Sequence, residues 1–212
     1  MNNLNSVVNQ KLFEDITMHL LNDHIPSAYF NQGSLEQIFM EYPFNLLLKL
    51  KSTQQSLKYH PEGNVWKHTM LVVDEAAKVK EQCSDEKAFM WAALLHDIGK
   101  PATTRNRKGK ITAYDHDKVG AVLSGEFLHA LTKEEEFINK VCALVRWHMQ
   151  LLYVVKDLPY QDKVAMLKEV NLQDIALLGW CDRMGRKYAN PVEEEKNIYL
   201  FQEKFKNLAK EK

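Results

Sequence analysis

Six residues stand out because their chemistry does not suit their surroundings: His68, His96, Asp97, His116, His148 and Asp182. Each falls on an apolar helical face, at the end of an apolar helix or at the edge of a polar loop. On a helix, residues three, four and seven positions apart share a face. Before Asp182 those positions hold Gly179, Leu178 and Ile175. Before His148 they hold Val145, Leu144 and Val141. His68 shares its face with Val65, Val72 and Val79. A carboxylate on a core-facing stripe is costly unless it is paired or bound to a cation. Taken singly, such a histidine is more often a hydrogen-bonded core residue, and such an aspartate a cap or a salt-bridge partner. Taken together, four imidazoles and two carboxylates form a mixed ligand set. It suits Mn, Fe, Co, Ni or Zn, and Mg less well. The adjacent pair His96–Asp97 can feed two ions if the carboxylate bridges. The other histidines, His19, His24, His60 and His129, are read as ordinary residues, although His60 sits in a Pro/Gly turn beside the proposed site.

These side chains need rigid elements to position them, and the hydrophobic period is helical nearly everywhere. The pattern predicts helices over Leu4–Leu21, Ser34–Tyr42, Phe44–Lys51, Val65–Gln82, Ser84 or Asp85 to His96, Asp117–Ala130, Thr132–His148, Tyr160–Glu169, Leu172–Gly185 and Asn190–Leu208. Ser34/Gln37 and Thr132/Glu135 read as capping boxes. Asn190-Pro191 with three glutamates behind it is an N-terminus signal. Phe89–Leu95 is apolar almost all the way round, so this helix should lie at the domain centre and deliver His96 and Asp97 at the rim of the core. Ser52–Asn64 reads as loop. Gly99–Asp115 reads as one long exposed loop, and that length marks it for function. Ile198, Phe201, Phe205 and Leu208 form a stripe that packs on the body or on a second subunit, so a homodimer is one expected outcome. The fold class is all-α. The division is 1–51 as an N-terminal helical segment packing on the body, 52–186 as the central domain and 187–212 as a C-terminal helix.

Composition excludes several classes. Lys+Arg and Asp+Glu both total 28 over 212 residues, a net charge of zero, which argues against a nucleic-acid coat. No apolar run approaches the roughly 20 residues of a membrane span. The N-terminus lacks the basic and apolar regions of a signal peptide. Cys83, Cys142 and Cys181 fit neither a disulfide framework nor a CxxC zinc site. A cytoplasmic location is expected.

The order His68, His96-Asp97 and a distant Asp182 resembles the HD-domain metal-dependent phosphohydrolases. The strings HPEGNVWKHT (His60–Thr69), ALLHDIGKP (Ala93–Pro101), YDHDKVGA (Tyr114–Ala121), VRWHM (Val145–Met149) and DRMGR (Asp182–Arg186) occur in order. Together they resemble the HD domain of bacterial CCA-adding tRNA nucleotidyltransferases, including a subgroup with phosphohydrolase activity. The likeness spans Ser52 to Arg186. A nucleotidyltransferase head needs a Gly-Ser motif followed by an Asp-x-Asp pair on strands. Here Gly33-Ser34 is followed by LEQIF, so the head is expected to be absent and the chain to be a stand-alone HD protein. That leaves tRNA a secondary partner behind a small phosphorylated substrate of nucleotide type.

The resemblance implies an HD-domain helical bundle with extra N- and C-terminal helices, holding one or two divalent ions (Mn, Fe, Co, Ni or Mg). His68, His96, Asp97 and Asp182 would bind the first ion. Asp97 would bridge to a second held by His116 and His148. A metal lowers the pKa of bound water from about 15.7 toward 7, and the hydroxide would attack phosphorus. Lys100 would contact a phosphate oxygen or a ligating carboxylate. Arg183 and Arg186 would bind substrate, Arg186 from the Asp182 face. His116 or His148 would be the leaving-group acid if the second ion were absent. The basic run Arg105, Arg107, Lys108 and Lys110 would attract an anion. The competing reading is a metal-binding regulatory or nucleotide-binding module without turnover.

Overall fold

The computed structural model describes residues 2–35 and 37–206. The chain is an all-α bundle with one small ribbon. In order the elements are α1 (Asn2–Asn22), α2 (Ser27–Phe30), α3 (Asn45–Ser52), α4 (Val65–Ala77), α5 (Glu86–Leu95), α6 (Lys100–Thr103), β1 (Arg105–Arg107), β2 (Lys110–Thr112), α7 (His116–His129), α8 (Glu135–Trp147), α9 (Gln150–Val155), α10 (Lys163–Glu169), α11 (Leu172–Met184) and α12 (Pro191–Lys206).

Helix α5 is the axis. Every residue from Ala88 to Leu95 is buried, as its all-round apolar character requires. The Asp85 carboxylate accepts the Ala88 amide at 3.0 Å and starts the helix there. Around α5 pack α4, α8, α11 and α1. Helix α1 docks through Phe13, whose ring stacks on Trp91 at 5.0 Å, while Trp91 donates to Thr17 Oγ1 at 3.0 Å. At the other end α12 lies over α11 and α9, with Phe201 and Phe205 buried. The predicted stripe therefore covers the body of its own chain; Leu208 lies outside the described residues. No helix among the described residues is long and apolar enough to cross a membrane.

Several boundaries differ from the sequence expectation. The helix expected over 34–42 is replaced, among the described residues, by 3-10 turns at Gly33–Leu35 and Ile38–Met40. The long loop is instead the short helix α6 followed by an antiparallel ribbon, with Arg105 opposite Thr112 and Arg107 opposite Lys110. Its two-residue turn puts Lys108 and Gly109 at positive φ, the primed turn that suits a twisted hairpin. The Thr132 box does not close on a helix at that position. Thr132 Oγ1 accepts the Glu134 amide at 3.3 Å, and α8 begins at Glu135. Helix α9 lies where the sequence pattern predicts none; it fills the span between His148 and the loop before α10.

Candidate metal centre

The six singled-out residues sit on or at the ends of five helices. His68 lies in the first turn of α4. His96 caps the C-terminus of α5, and Asp97 follows it. His116 opens α7, His148 caps α8, and Asp182 lies in the last turn of α11. All six are less than a tenth exposed. They converge. His68 Nε2 is 3.0 Å from Asp182 Oδ1 and 4.0 Å from Asp97 Oδ2. His96 Nε2 is 3.2 Å from Asp97 Oδ2. His116 Nε2 is 3.5 Å from Asp97 Oδ1 and 3.2 Å from His148 Nε2.

Three of the imidazoles share one arrangement. His96 Nδ1 donates to the Ala93 carbonyl at 2.8 Å, His116 Nδ1 to Ala113 at 2.7 Å and His148 Nδ1 to Val145 at 2.7 Å. His68 differs: its Nε2 is hydrogen-bonded to Asp182 Oδ1 at 3.0 Å, and its Nδ1 lies 3.0 Å from the Glu62 carboxylate without a completed hydrogen bond. With their protons held on Nδ1, the Nε2 atoms of His96, His116 and His148 present lone pairs to the centre. His116 and His148 then aim two lone pairs at each other, and His96 aims one at a carboxylate oxygen. His96 Nε2 and Asp97 Oδ1 are buried without a hydrogen-bond partner, while Asp97 Oδ2 is ion-paired with Lys100 Nζ at 2.6 Å. Buried lone pairs turned on one another are unfavourable without a cation between them.

Charge follows the same pattern. Burial alone would raise Asp97, but His96 and Lys100 beside it hold its carboxyl well below the usual range. Burial opposes Asp182 likewise, and Arg186 and His68 hold it low. Burial pushes His148 down to about 3, helped by His116 and His96, and burial also lowers His116. Burial lowers His60 to about 4. His68 moves the other way: burial lowers it, but hydrogen bonds to Asp182 and Glu62 prevail and raise it. The ionised aspartates and the neutral His116 and His148 are in the protonation states that metal ligation needs, while His68 would give up its raised proton affinity to a bound ion. Two ligand groups have the right spacing: His68, His96 and Asp182, and Asp97, His116 and His148, each with donor atoms within 4.8 Å of one another. The residues present therefore fit one or two divalent ions.

The cations around this centre divide. Lys100 is buried, with Nζ 2.6 Å from Asp97 Oδ2 and 2.6 Å from Gln55 Oε1. Arg186 lies one turn beyond Asp182, 3.7 Å from its carboxylate, and its buried Nε has no partner. Arg183, expected at the substrate, instead gives Nε to Glu194 and joins α11 to α12. Helix α11 ends at Met184, and the turn at Gly185 carries Arg186 back over Asp182, while Arg183, still on the helix, points to α12. Arg105, Arg107, Lys108 and Lys110 are exposed on the ribbon. Sequence reading passes over Glu62 and Gln55, which back His68 and Lys100 from the loop before α4. The one available signal is the Pro-Glu-Gly turn beside His60.

A sequence profile of the HD domain family matches residues 65–176, about half of the chain. Among curated proteins, the chain is similar to the multifunctional CCA protein of Pasteurella multocida, 32% identical over 124 residues, covering 56% of this chain and 28% of that protein. The multifunctional CCA protein of Alkalilimnicola ehrlichii is 27% identical over 152 residues, covering 69% of this chain and 34% of that protein. The one from Psychromonas ingrahamii is 26% identical over 174 residues, covering 78% and 38%. The chain thus spans 28% to 38% of the length of these relatives.

Proposed function

The chain belongs to the HD-domain family, within the superfamily of metal-dependent phosphohydrolases, and on that premise we propose that it hydrolyses a phosphoester of nucleotide or cyclic-nucleotide type at this centre. The observation that carries the reading is the imidazole arrangement: the Nδ1 atoms of His96, His116 and His148 donate to backbone carbonyls, and their Nε2 atoms face a buried carboxylate or another Nε2. His68, His96, Asp97 and Asp182 would hold one ion; His116 and His148, with Asp97 shared, would hold another. A bound divalent cation supplies Lewis acidity, acidifying water toward neutral pH and neutralising charge on phosphoryl oxygens.

The chain's own residues do the rest. Lys100, fixed between Asp97 and Gln55, sets the direction of the Asp97 carboxylate and holds a positive charge at the rim for phosphate. Arg186 has a free guanidinium edge for a second phosphoryl oxygen. Substrate contacts rest on these two, since Glu194 occupies Arg183. The lowered basicity of His116 and His148 suits lone-pair donors better than leaving-group acids at neutral pH. The multifunctional CCA proteins supply the nucleotide class as the first to assay. Asp97→Ala should remove metal from the purified protein and reduce hydrolysis of phosphomonoesters, 2′,3′-cyclic nucleotides and cyclic dinucleotides to background with Mn, Ni, Co or Mg. An Asp97→Ala protein that hydrolyses any of these at the wild-type rate overturns the reading. A wild-type protein that holds metal yet turns over none of them would favour a regulatory module.

A further inference from the structure

Behind His68 stands a carboxylate outside both ligand groups, and we infer that Glu62 is a positioning residue that keeps the His68 proton on Nδ1 and its Nε2 toward the metal; this rests on His68 being a ligand. Glu62 lies between Pro61 and Gly63, just ahead of α4, with its side chain 4% exposed. Its Oε1 sits 3.0 Å from His68 Nδ1 and 2.9 Å from His60 Nδ1. Its Oε2 accepts the Lys187 amide at 3.4 Å. His60, Glu62 and His68 are also close enough to form a ligand group of their own. Glu62 Oε1 accepts from His60 Nδ1, so this carboxylate already serves as an imidazole acceptor. His68 Nδ1 makes no completed hydrogen bond, and the Glu62 oxygen 3.0 Å away is the acceptor within its reach.

The position explains why a carboxylate serves here and carbonyls serve elsewhere. His96 and His148 sit at helix C-termini, where the last carbonyls lack an amide partner within the helix. Ala93 and Val145 are therefore free to take Nδ1–H. His68 sits in a first turn, and the carbonyl three residues before it, Val65, already accepts the Thr69 hydroxyl at 3.0 Å. The acceptor must come from outside the helix, and the turn supplies Glu62. A carboxylate on the far nitrogen of a ligating imidazole fixes the tautomer and raises ligand basicity, and its loss typically costs roughly 10–100-fold in metal affinity.

The test uses the full chain with Co2+ as the titrant, in wild type, Glu62→Gln and Glu62→Leu. Glutamine keeps an acceptor without the charge; leucine removes both. Affinity is expected to fall about tenfold in Glu62→Gln and about a hundredfold in Glu62→Leu. In Zn2+-loaded protein labelled with 15N-histidine, the His68 Nδ1–H resonance should persist in wild type and Glu62→Gln and be lost in Glu62→Leu. A general structural weakness would not select this one proton. Wild-type Co2+ affinity in Glu62→Gln together with an unchanged His68 signal in Glu62→Leu overturns the inference; if Glu62→Leu does not fold, wild-type affinity in Glu62→Gln alone overturns it. A wild-type chain that binds no Co2+ sinks the metal-centre reading and this inference with it, a result distinct from variants that bind as well as wild type.

Discussion

His148 decides how many ions the centre holds. Its Nε2 and that of His116 face each other at 3.2 Å, with both Nδ1 atoms already donating. It shares no ligand with the His68–His96–Asp182 group. His148→Asn should therefore lower the metal content from two ions per chain to one, measured by elemental analysis after dialysis against Mn2+. Complete loss of metal would mean one shared site rather than two. All six candidate ligands could be found from sequence because a polar group on an apolar helical stripe breaks a period. Glu62 and Gln55 could not, because a loop has no period to break. The fate of Arg183 was equally hidden: its partner Glu194 lies on another helix, and only the docking of α12 brings the two together.

At the scale of elements, two glycines let the helices come close enough for the ligands to meet. A Cβ on Gly185 would lie 2.6 Å from Val72 Cγ2 and 2.9 Å from the Val72 amide, so α11 can press against α4 only without a side chain there. That contact stands behind the His68–Asp182 pair. A Cβ on Gly99 would meet the His116 carbonyl at 2.2 Å and the Gly120 amide at 2.6 Å, so the corner after Asp97 is seated on α7 in the same way. Gly185→Ala should cost about 1–3 kcal/mol by urea denaturation. It should also weaken metal binding, because His68 must withdraw from Asp182; unchanged affinity would detach the helix contact from the site. The existence and order of most helices were legible from period and caps. Asp85 is one such cap. Burial would raise its pKa, but the Ala88 amide and Lys140 lower it. Its ionised form therefore adds stability above the unfolded value of about 3.9, and that contribution fades as pH falls through the lower folded value. Asp85→Ala should cost about 1 kcal/mol at pH 7, and thermal melts should show the gap to wild type closing in acid. The ribbon after α6 was not legible. A Lys-Gly turn is a weak hairpin signal beside Asn-Gly, and three-residue strands are too short to show alternation.

Across the whole molecule the formal charge is zero, yet the centre gathers three carboxylates, Asp97, Asp182 and Glu62, around four imidazoles inside an apolar bundle. Lys100 and Arg186 offset two of them. Groups drawn from α4, α5, α7, α8 and α11 thus meet only in the folded chain, and unfolding scatters them over more than a hundred positions of sequence. A cation that binds this set binds the native state and not the unfolded one, so binding free energy becomes folding free energy. At a free metal concentration of about 100 times Kd the gain is about 2.7 kcal/mol. For a chain of this length that corresponds to a rise of about 5–10 °C in Tm. EDTA should remove the rise and added Mn2+ should restore it. Asp97→Ala should melt at one temperature in either solution, because Asp97 stands between the two ligand groups and its loss weakens both. A wild-type Tm indifferent to chelator and metal alike would mean that the buried charges are satisfied by one another, and that the bundle is held by its core without an ion.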